Sequence, residues 1–282
     1  MAVVEPIRAI SALAAQATQS TPKVTLRGVS KAFGSGTARI TAVDTASFAI
    51  GVGEFVSIVG PSGCGKSTIL NIVAGLDEPS SGEVLFDGAQ VADRRMQCGY
   101  MFQKDLLFPW RTIEANVALG LEVQGTRRTE ARERARALLA RFGLGQFSQH
   151  YPAQLSGGMR QRVALMRTLL CARPILLLDE PFAALDALTR AIMQEWLLSI
   201  WAQEQRTILF ITHDIDEAIF LSDRVLLMSV RPGRIRNEIR VPLARPRDHR
   251  VTTTAEFTAL KQLIRDELHE ESLKADHFQP VQ

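Results

Sequence analysis

Nine consecutive residues, Gly60-Pro61-Ser62-Gly63-Cys64-Gly65-Lys66-Ser67-Thr68, constrain this chain more than any other stretch. They satisfy G-x-x-x-x-G-K-[ST] at every fixed position, a pattern that needs a strand before it and a helix after it. Both are legible. Glu54-Phe55-Val56-Ser57-Ile58-Val59 reads as a short buried strand, and Thr68-Ile69-Leu70-Asn71-Ile72-Val73-Ala74 as an amphipathic helix. Glycines let the backbone curl until successive N–H groups point inward at an anion. The helix N-terminus adds unpaired donors and its positive dipole end. Gly60 to Thr68 therefore reads as a cradle for the phosphates of a nucleotide. Lys66 reaches the β- and γ-phosphates as a point charge, and the Ser67 hydroxyl ligates Mg²⁺.

Composition sets outer limits. A chain of 282 residues holds one large domain, or one domain and a smaller appendage. An apolar fraction of 46% supports an ordinary packed core, and the net charge of +3 comes from dispersed basic residues. A nucleic-acid binder usually concentrates them in a stripe, so no nucleic-acid partner is expected. The three cysteines, Cys64, Cys98 and Cys171, lack metal-ligand spacing and imply a reducing compartment without a disulfide framework. No apolar run approaches the ~20 residues that cross a bilayer. The apolar piece from Ala9 to Ala15 follows Glu5 with no basic opening, which argues against a signal peptide. The chain is expected in the cytoplasm, touching the membrane only through a partner.

The remaining texture suggests a layered α/β fold. Residues 1–21, rich in Ala, Ser, Thr and Gln, read as a flexible leader. Val24 to Val29 and Ala42 to Ile50 alternate like strands of an antiparallel edge structure, separated by the turn-rich Gly34-Ser35-Gly36-Thr37. Thr126 to Phe142 carries Ala131, Ala135, Leu138, Leu139 and Phe142 at helical spacing and reads as part of a helical insertion. Ile175-Leu176-Leu177-Leu178 and Thr207-Ile208-Leu209-Phe210-Ile211 are continuous apolar runs of the kind buried in a parallel sheet. Arg224 to Met228 reads as the last strand. A Pro- and Arg-punctuated segment follows, closing with an amphipathic helix near Phe257 to Leu268 and a polar tail.

A nucleotide hydrolase also needs carboxylates. The strand ending in Leu178-Asp179-Glu180 supplies them at the sheet's carboxyl edge. Asp179 would hold Mg²⁺ directly or through water, and Glu180 would act as general base toward the attacking water. Leu155-Ser156-Gly157-Gly158-Met159-Arg160-Gln161-Arg162 precedes a helix starting near Met159; a serine and two glycines there form a second anion-binding turn. One nucleotide loop plus a separate phosphate turn invites a site shared by two chains.

At this point the chain resembles the ATP-binding subunits of ABC transporters, whose signature is LSGGQ. Met159 replaces the usual Gln, which removes a side-chain amide and leaves the backbone donors. The resemblance runs from Val24 to Met228 and implies a P-loop NTPase (RecA-like) α/β core with a mostly parallel sheet. An N-terminal antiparallel β subdomain and an inserted α-helical subdomain accompany it. The expected division is a leader at 1–21, an ATPase domain at 22–230 with the helical subdomain at about 104–165, and an extension at 231–282.

The resemblance also implies roles. Phe33 matches an aromatic that stacks on adenine, with a packing role as the alternative. Gln103 matches the glutamine that reaches Mg²⁺ and the attacking water and couples the site to the membrane partner. Asp186, in Ala184-Leu185-Asp186, matches a loop that crosses to the partner chain, and also reads as the N-cap of the helix from Ala187. His213 matches the switch histidine that contacts the γ-phosphate. Cys64 reads either as a reactive thiolate near backbone donors, blocked by alkylation and protected by Mg-ATP, or as an inert small residue.

The implied reaction is ATP + H₂O → ADP + phosphate, catalysed by positioning and charge stabilisation. Two copies would sandwich two ATP molecules head to tail, with Ser156, Gly157 and Gly158 of one closing the site of the other. Hydrolysis would then release the closed pair, and a transmembrane permease near Gln103 would convert closure into alternating access. The stretches Phe108 to Val117, His213 to Ala218 and Arg231 to Ile235 look like those of importers for nitrate, sulfonates and taurine. That implies a small anionic nutrient, chosen by an extracytoplasmic binding protein and the permease, and a place on the cytoplasmic face of the inner membrane. Import of a thiamine precursor, a non-transport regulatory ABC-type ATPase and a P-loop kinase are the other readings. The Leu155 to Arg162 signature and His213 argue against the kinase.

Overall fold

The protein's computed structural model describes residues 21–35 and 38–276. The expected leader, apart from Thr21, lies outside the described residues, as do Gly36 and Thr37 of the turn-rich stretch and the polar tail from 277 onward. In chain order the first elements are β1 (Val24–Phe33), β2 (Ile40–Ile50), β3 (Phe55–Val59), α1 (Lys66–Ala74) and β4 (Ser81–Phe86). Next come β5 (Cys98–Met101), α2 (Ile113–Val123), α3 (Arg128–Arg141), α4 (Gly157–Leu170) and β6 (Ile175–Asp179). The remainder are α5 (Ala187–Glu204), β7 (Thr207–Ile211), α6 (Ile215–Leu221), β8 (Arg224–Met228), β9 (Ile235–Arg240) and α7 (Ala255–Asp276). These elements divide into two compact units, residues 1–94 with 194–282, and residues 95–193.

In the first unit β7, β3, β8 and β9 are neighbours in that order. Every residue of β3 and β7 is buried, which explains their unbroken apolar runs. β3 pairs in parallel with β7 through Ile58 and Ile211, and with β8 through Val59 and Leu227. The carboxyl ends of these strands therefore reach one edge together. The alternating segments form a separate antiparallel sheet, β2-β1-β4.

Arg224–Met228 is not the last strand. β9 follows it, antiparallel, with Ile239 opposite Val225. The alternation of Ile235-Arg236-Asn237-Glu238-Ile239-Arg240 is faint because only Ile239 is buried. Charged side chains on an outer strand discourage further pairing, and they also hide its periodicity.

The C-terminal helix is longer than expected, α7 burying Phe257, Leu260 and Ile264 as one stripe. Lys261 Nζ reaches Asp216 Oδ2 of α6 at 2.7 Å. Ahead of α7, Arg245 lies over the Trp201 ring at 4.0 Å and donates to the Leu221 carbonyl at 2.7 Å. Arg247, only 7% exposed, donates to the carbonyls of Ile219, Phe220 and Ser222 at 2.8–3.1 Å. Its other nitrogens reach Val241 and Leu243. Helix ends leave carbonyls without intrahelical partners, and this guanidinium serves those of α6. Burial, with Arg245 nearby, lowers its pKa to about 10, which leaves it charged at neutral pH. Arg247→Leu strands several buried carbonyls and is expected to lower stability by about 3 kcal/mol. Thermal unfolding should show a midpoint drop of roughly 5–10 °C. A midpoint within a degree of the parent would remove Arg247 from this role.

In the second unit β5 and β6 pair in parallel, Met101 opposite Leu178. α3 buries Ala131, Ala135 and Leu139 at the expected spacing. Glu114 of α2 is buried, and its carboxylate accepts from Gln149 at 2.9 Å beside Arg136 at 3.5 Å. Buried Asn116 accepts from the Phe108 N–H and donates to the carbonyls of Phe108, Arg111 and Thr112. It thereby holds the loop that follows Gln103.

Candidate functional site

The first unit carries the loop Gly60 to Thr68 at the carboxyl end of β3. α1 begins at Lys66 with Gly65 as its N-cap, at φ 107° and with no side chain capping the helix. An L side chain rarely adopts that φ, and a Cβ on Gly65 would lie 2.8 Å from the Ala42 carbonyl oxygen. The first N–H groups of α1 are therefore without side-chain acceptors, which suits an anion. Lys66 is 8% exposed, and its Nζ donates to the carbonyls of Gly60 at 2.7 Å and Pro61 at 2.8 Å. The ammonium is thus held within the curl of the loop. Ser62, Gly63 and Ser67 are exposed, Pro61 and Thr68 half-buried.

Cys64 does not fit the reactive-thiolate reading. It is 1% exposed, and burial pushes its thiol up against the opposing pull of Lys66. Less thiolate exists at neutral pH than on a free cysteine. Iodoacetamide is therefore expected to alkylate half-buried Cys171 ahead of Cys64 at pH 7.5, as peptide mass mapping over time would report. Faster labelling of Cys64 would restore the reactive reading.

His213 follows β7, whose end neighbours that of β3, so the same sheet edge carries the loop and this imidazole. Its backbone is pinned on both sides. Buried Thr212 donates from Oγ1 to Glu217 at 2.7 Å, and Glu217 accepts from Gln194 at 3.1 Å. Asp214 caps α6, accepting from the N–H groups of Asp216 and Glu217. The exposed His213 ring borders a cavity of about 310 Å³ lined also by Asp214, Ile215, Asp216, Lys261 and Arg265. Phe33 ends β1 with 44% of its surface exposed, and Lys31 Nζ lies 5.1 Å from its ring centre. An exposed aromatic with a cation on its face is available for stacking.

The second unit carries the carboxylates. Asp179 closes β6 at 4% exposure, and Glu180 follows at φ 48°. A glutamate in the left-handed region persists only where its surroundings hold it. Here the Ala183 N–H and Gln161 Nε2 donate to the Glu180 carbonyl, at 3.2 and 3.3 Å. Exposed Gln103 lies two residues beyond β5, so it leaves the strand pair at the same end as Asp179 and Glu180.

Ser156, Gly157 and Gly158 open α4. The Ser156 Oγ accepts from the Met159 N–H at 3.3 Å, so the serine caps the helix, which starts at Gly157 rather than near Met159. Asp186 caps α5 in the same manner, accepting from the Thr189 N–H at 3.0 Å. That bond lowers its carboxyl pKa.

Two links had no signal in the sequence. Arg160 Nε pairs with Asp105 Oδ2 at 3.0 Å, and Arg167 donates to the carbonyls of Asp105 and Leu106. Arg160 and Arg167 therefore tie α4 to the segment after Gln103. Among the described residues no group of three or more His, Cys, Asp or Glu could hold a metal. Mg²⁺ does not need one, since it is usually bound through one or two protein oxygens together with substrate phosphates.

The family described as "ABC transporter" matches residues 43–183. An uncharacterized ABC transporter ATP-binding protein of Methanocaldococcus jannaschii is 45% identical over 253 residues, covering 90% of this chain and 94% of the relative. An aliphatic sulfonates import ATP-binding protein of Bacillus thuringiensis subsp. konkukian is 42% identical over 241 residues, covering 86% and 94%. Among solved structures, an ATP-binding cassette in a dimeric post-hydrolysis state with ADP and phosphate superposes with a TM-score of 0.71. It is 35% identical and covers 78% of this chain and all of that one. With the family matching half of the chain and relatives above 40% identity along more than nine-tenths of their own length, this chain belongs to the ABC transporter family as an ATP-binding protein and ATPase.

Proposed function

We propose that this chain is the energy-supplying subunit of an importer for a small anionic nutrient of the sulfonate type. The observation that carries this reading is its likeness, along nearly the whole relative, to a protein named for aliphatic sulfonate import. Among the described residues no helix is long and apolar enough to cross a membrane. In this reading a permease supplies the path, and an extracytoplasmic binding protein selects the ligand. The chain works peripherally, at the cytoplasmic face.

Two copies act together, as in the dimeric cassette with ADP and phosphate. In each site the amides of Gly60 to Thr68 bind the phosphates, Lys66 neutralises their charge, and Phe33 stacks on the base. Ser67, Gln103 and Asp179 are the oxygen donors that would hold Mg²⁺, which when bound neutralises charge developing on the transferred phosphoryl group. Glu180 takes the proton of the attacking water, and His213 reads the γ-phosphate. Ser156, Gly157 and Gly158 of the other copy close the site, with Asp186 crossing between copies. Loss of the γ-phosphate opens the pair.

The test is co-purification of the chain with its membrane subunits, followed by reconstitution in vesicles with the binding protein. An alkanesulfonate is expected to stimulate ATP hydrolysis, with taurine and nitrate as comparators. Stimulation by nitrate alone would move the substrate within the anion class. An ATPase that associates with no membrane subunit would remove the transport reading.

A further inference from the structure

The turn between β8 and β9, to which no part in nucleotide binding has been given above, grips the Gly60 to Thr68 loop from the side. Arg231 donates from Nε at 3.1 Å and from Nη2 at 2.9 Å to one acceptor, the Gly63 carbonyl oxygen. Gly233 comes so close that a Cβ there would lie 2.0 Å from the Cys64 carbonyl oxygen. The turn has its own anchors. The Gly233 N–H donates to Ala42 at 3.0 Å, and the Gly233 carbonyl accepts from Asp44 at 2.9 Å. Ser229 and Arg234 bond each other through their backbones, and Arg234 Nε reaches Asp44 Oδ2 at 3.0 Å. None of these anchors uses the Arg231 guanidinium. Its side chain is exposed, where long cations usually remain solvated, yet it directs two N–H groups at the nucleotide loop.

We propose that Arg231 is a positioning residue for nucleotide binding, acting through the Gly63 carbonyl. This rests on the reading that Gly60 to Thr68 binds the ATP phosphates. Two effects follow from one contact. First, a planar fork on a single oxygen fixes the Gly63–Cys64 peptide, so less loop freedom is lost when the anion arrives. Second, that oxygen and the Cys64 N–H share one conjugated amide. A cation on the oxygen draws electron density from the nitrogen and strengthens the N–H as a donor. The Cys64 N–H now donates to the Pro61 carbonyl at 3.4 Å, a long bond that a phosphate oxygen would displace.

The experiment compares Arg231→Ala, Arg231→Lys and Arg234→Ala in the full chain. The probe is N-methylanthraniloyl-ATP with Mg²⁺, at low and high salt. Arg231→Ala is expected to weaken binding by about five- to tenfold, with turnover at saturating ATP kept to within about twofold. Arg231→Lys should recover part of the affinity through its single ammonium. Arg234→Ala breaks the Asp44 pair in the same turn without touching the loop, and should bind as the parent does. The parent's affinity should fall more steeply with salt than that of Arg231→Ala. Unchanged binding in Arg231→Ala overturns the proposal, and so does an equal loss in Arg234→Ala, which would assign the effect to the turn's folding. A parent protein that binds no nucleotide would instead overturn the phosphate-loop reading beneath it.

Discussion

Glu180→Gln is expected to lower ATP turnover by about 10²–10⁴-fold while leaving nucleotide binding intact. The replacement keeps side-chain volume and the backbone at φ 48°. It also keeps the Glu180 carbonyl that Gln161 and Ala183 bond, so the end of β6 should not move. What disappears is a carboxylate able to take a proton from water. If closure of the pair depends on the γ-phosphate, the variant cannot remove that phosphate and should accumulate as a dimer. Size-exclusion chromatography with and without Mg-ATP would show it, beside a phosphate-release assay. Hydrolysis at the parental rate would exclude Glu180 as the base, and a variant monomeric in Mg-ATP would count against a γ-phosphate-bridged pair.

Lys66→Ala should act at the earlier step. The loss expected in kcat/KM is roughly 10²–10³-fold, the scale seen when one preorganised donor to a developing anion is removed. Lys66 Nζ already sits among the loop's carbonyls, donating to Gly60 and Pro61, so its orientation is set before nucleotide binds. Alanine removes the cation and leaves those carbonyls to water. The thermal midpoint should therefore change little compared with the catalytic loss. Nucleotide titration calorimetry separates the two effects, and affinity equal to the parent's would take Lys66 out of phosphate binding.

Much of the proposed site was legible because its chemistry is local. Gly65 and Lys66 belong to one run that must turn sharply and start a helix, whatever surrounds it. The Ser156 and Asp186 caps depend on an N–H three residues further on. The apolar runs of β3, β6 and β7 announce strands covered on both faces. The failures share another cause. β9 escaped notice because an outer strand buries little. The sequence left the Cys64 thiol open between a reactive and an inert reading, because backbone donors are visible in the residue string and depth of burial is not.

Residue order along the chain thus determined the family and the proposed site: a glycine-rich loop, two carboxylates after a buried strand and a Ser-Gly-Gly turn, each a short-range pattern of backbone geometry and charge. The supports around it came from folding. Arg231 meets Gly63 from 168 positions away, and Arg247 meets the end of α6 from 25 to 28 away. Such contacts require strands and helices to have packed first, and no local preference of the residues involved predicts them.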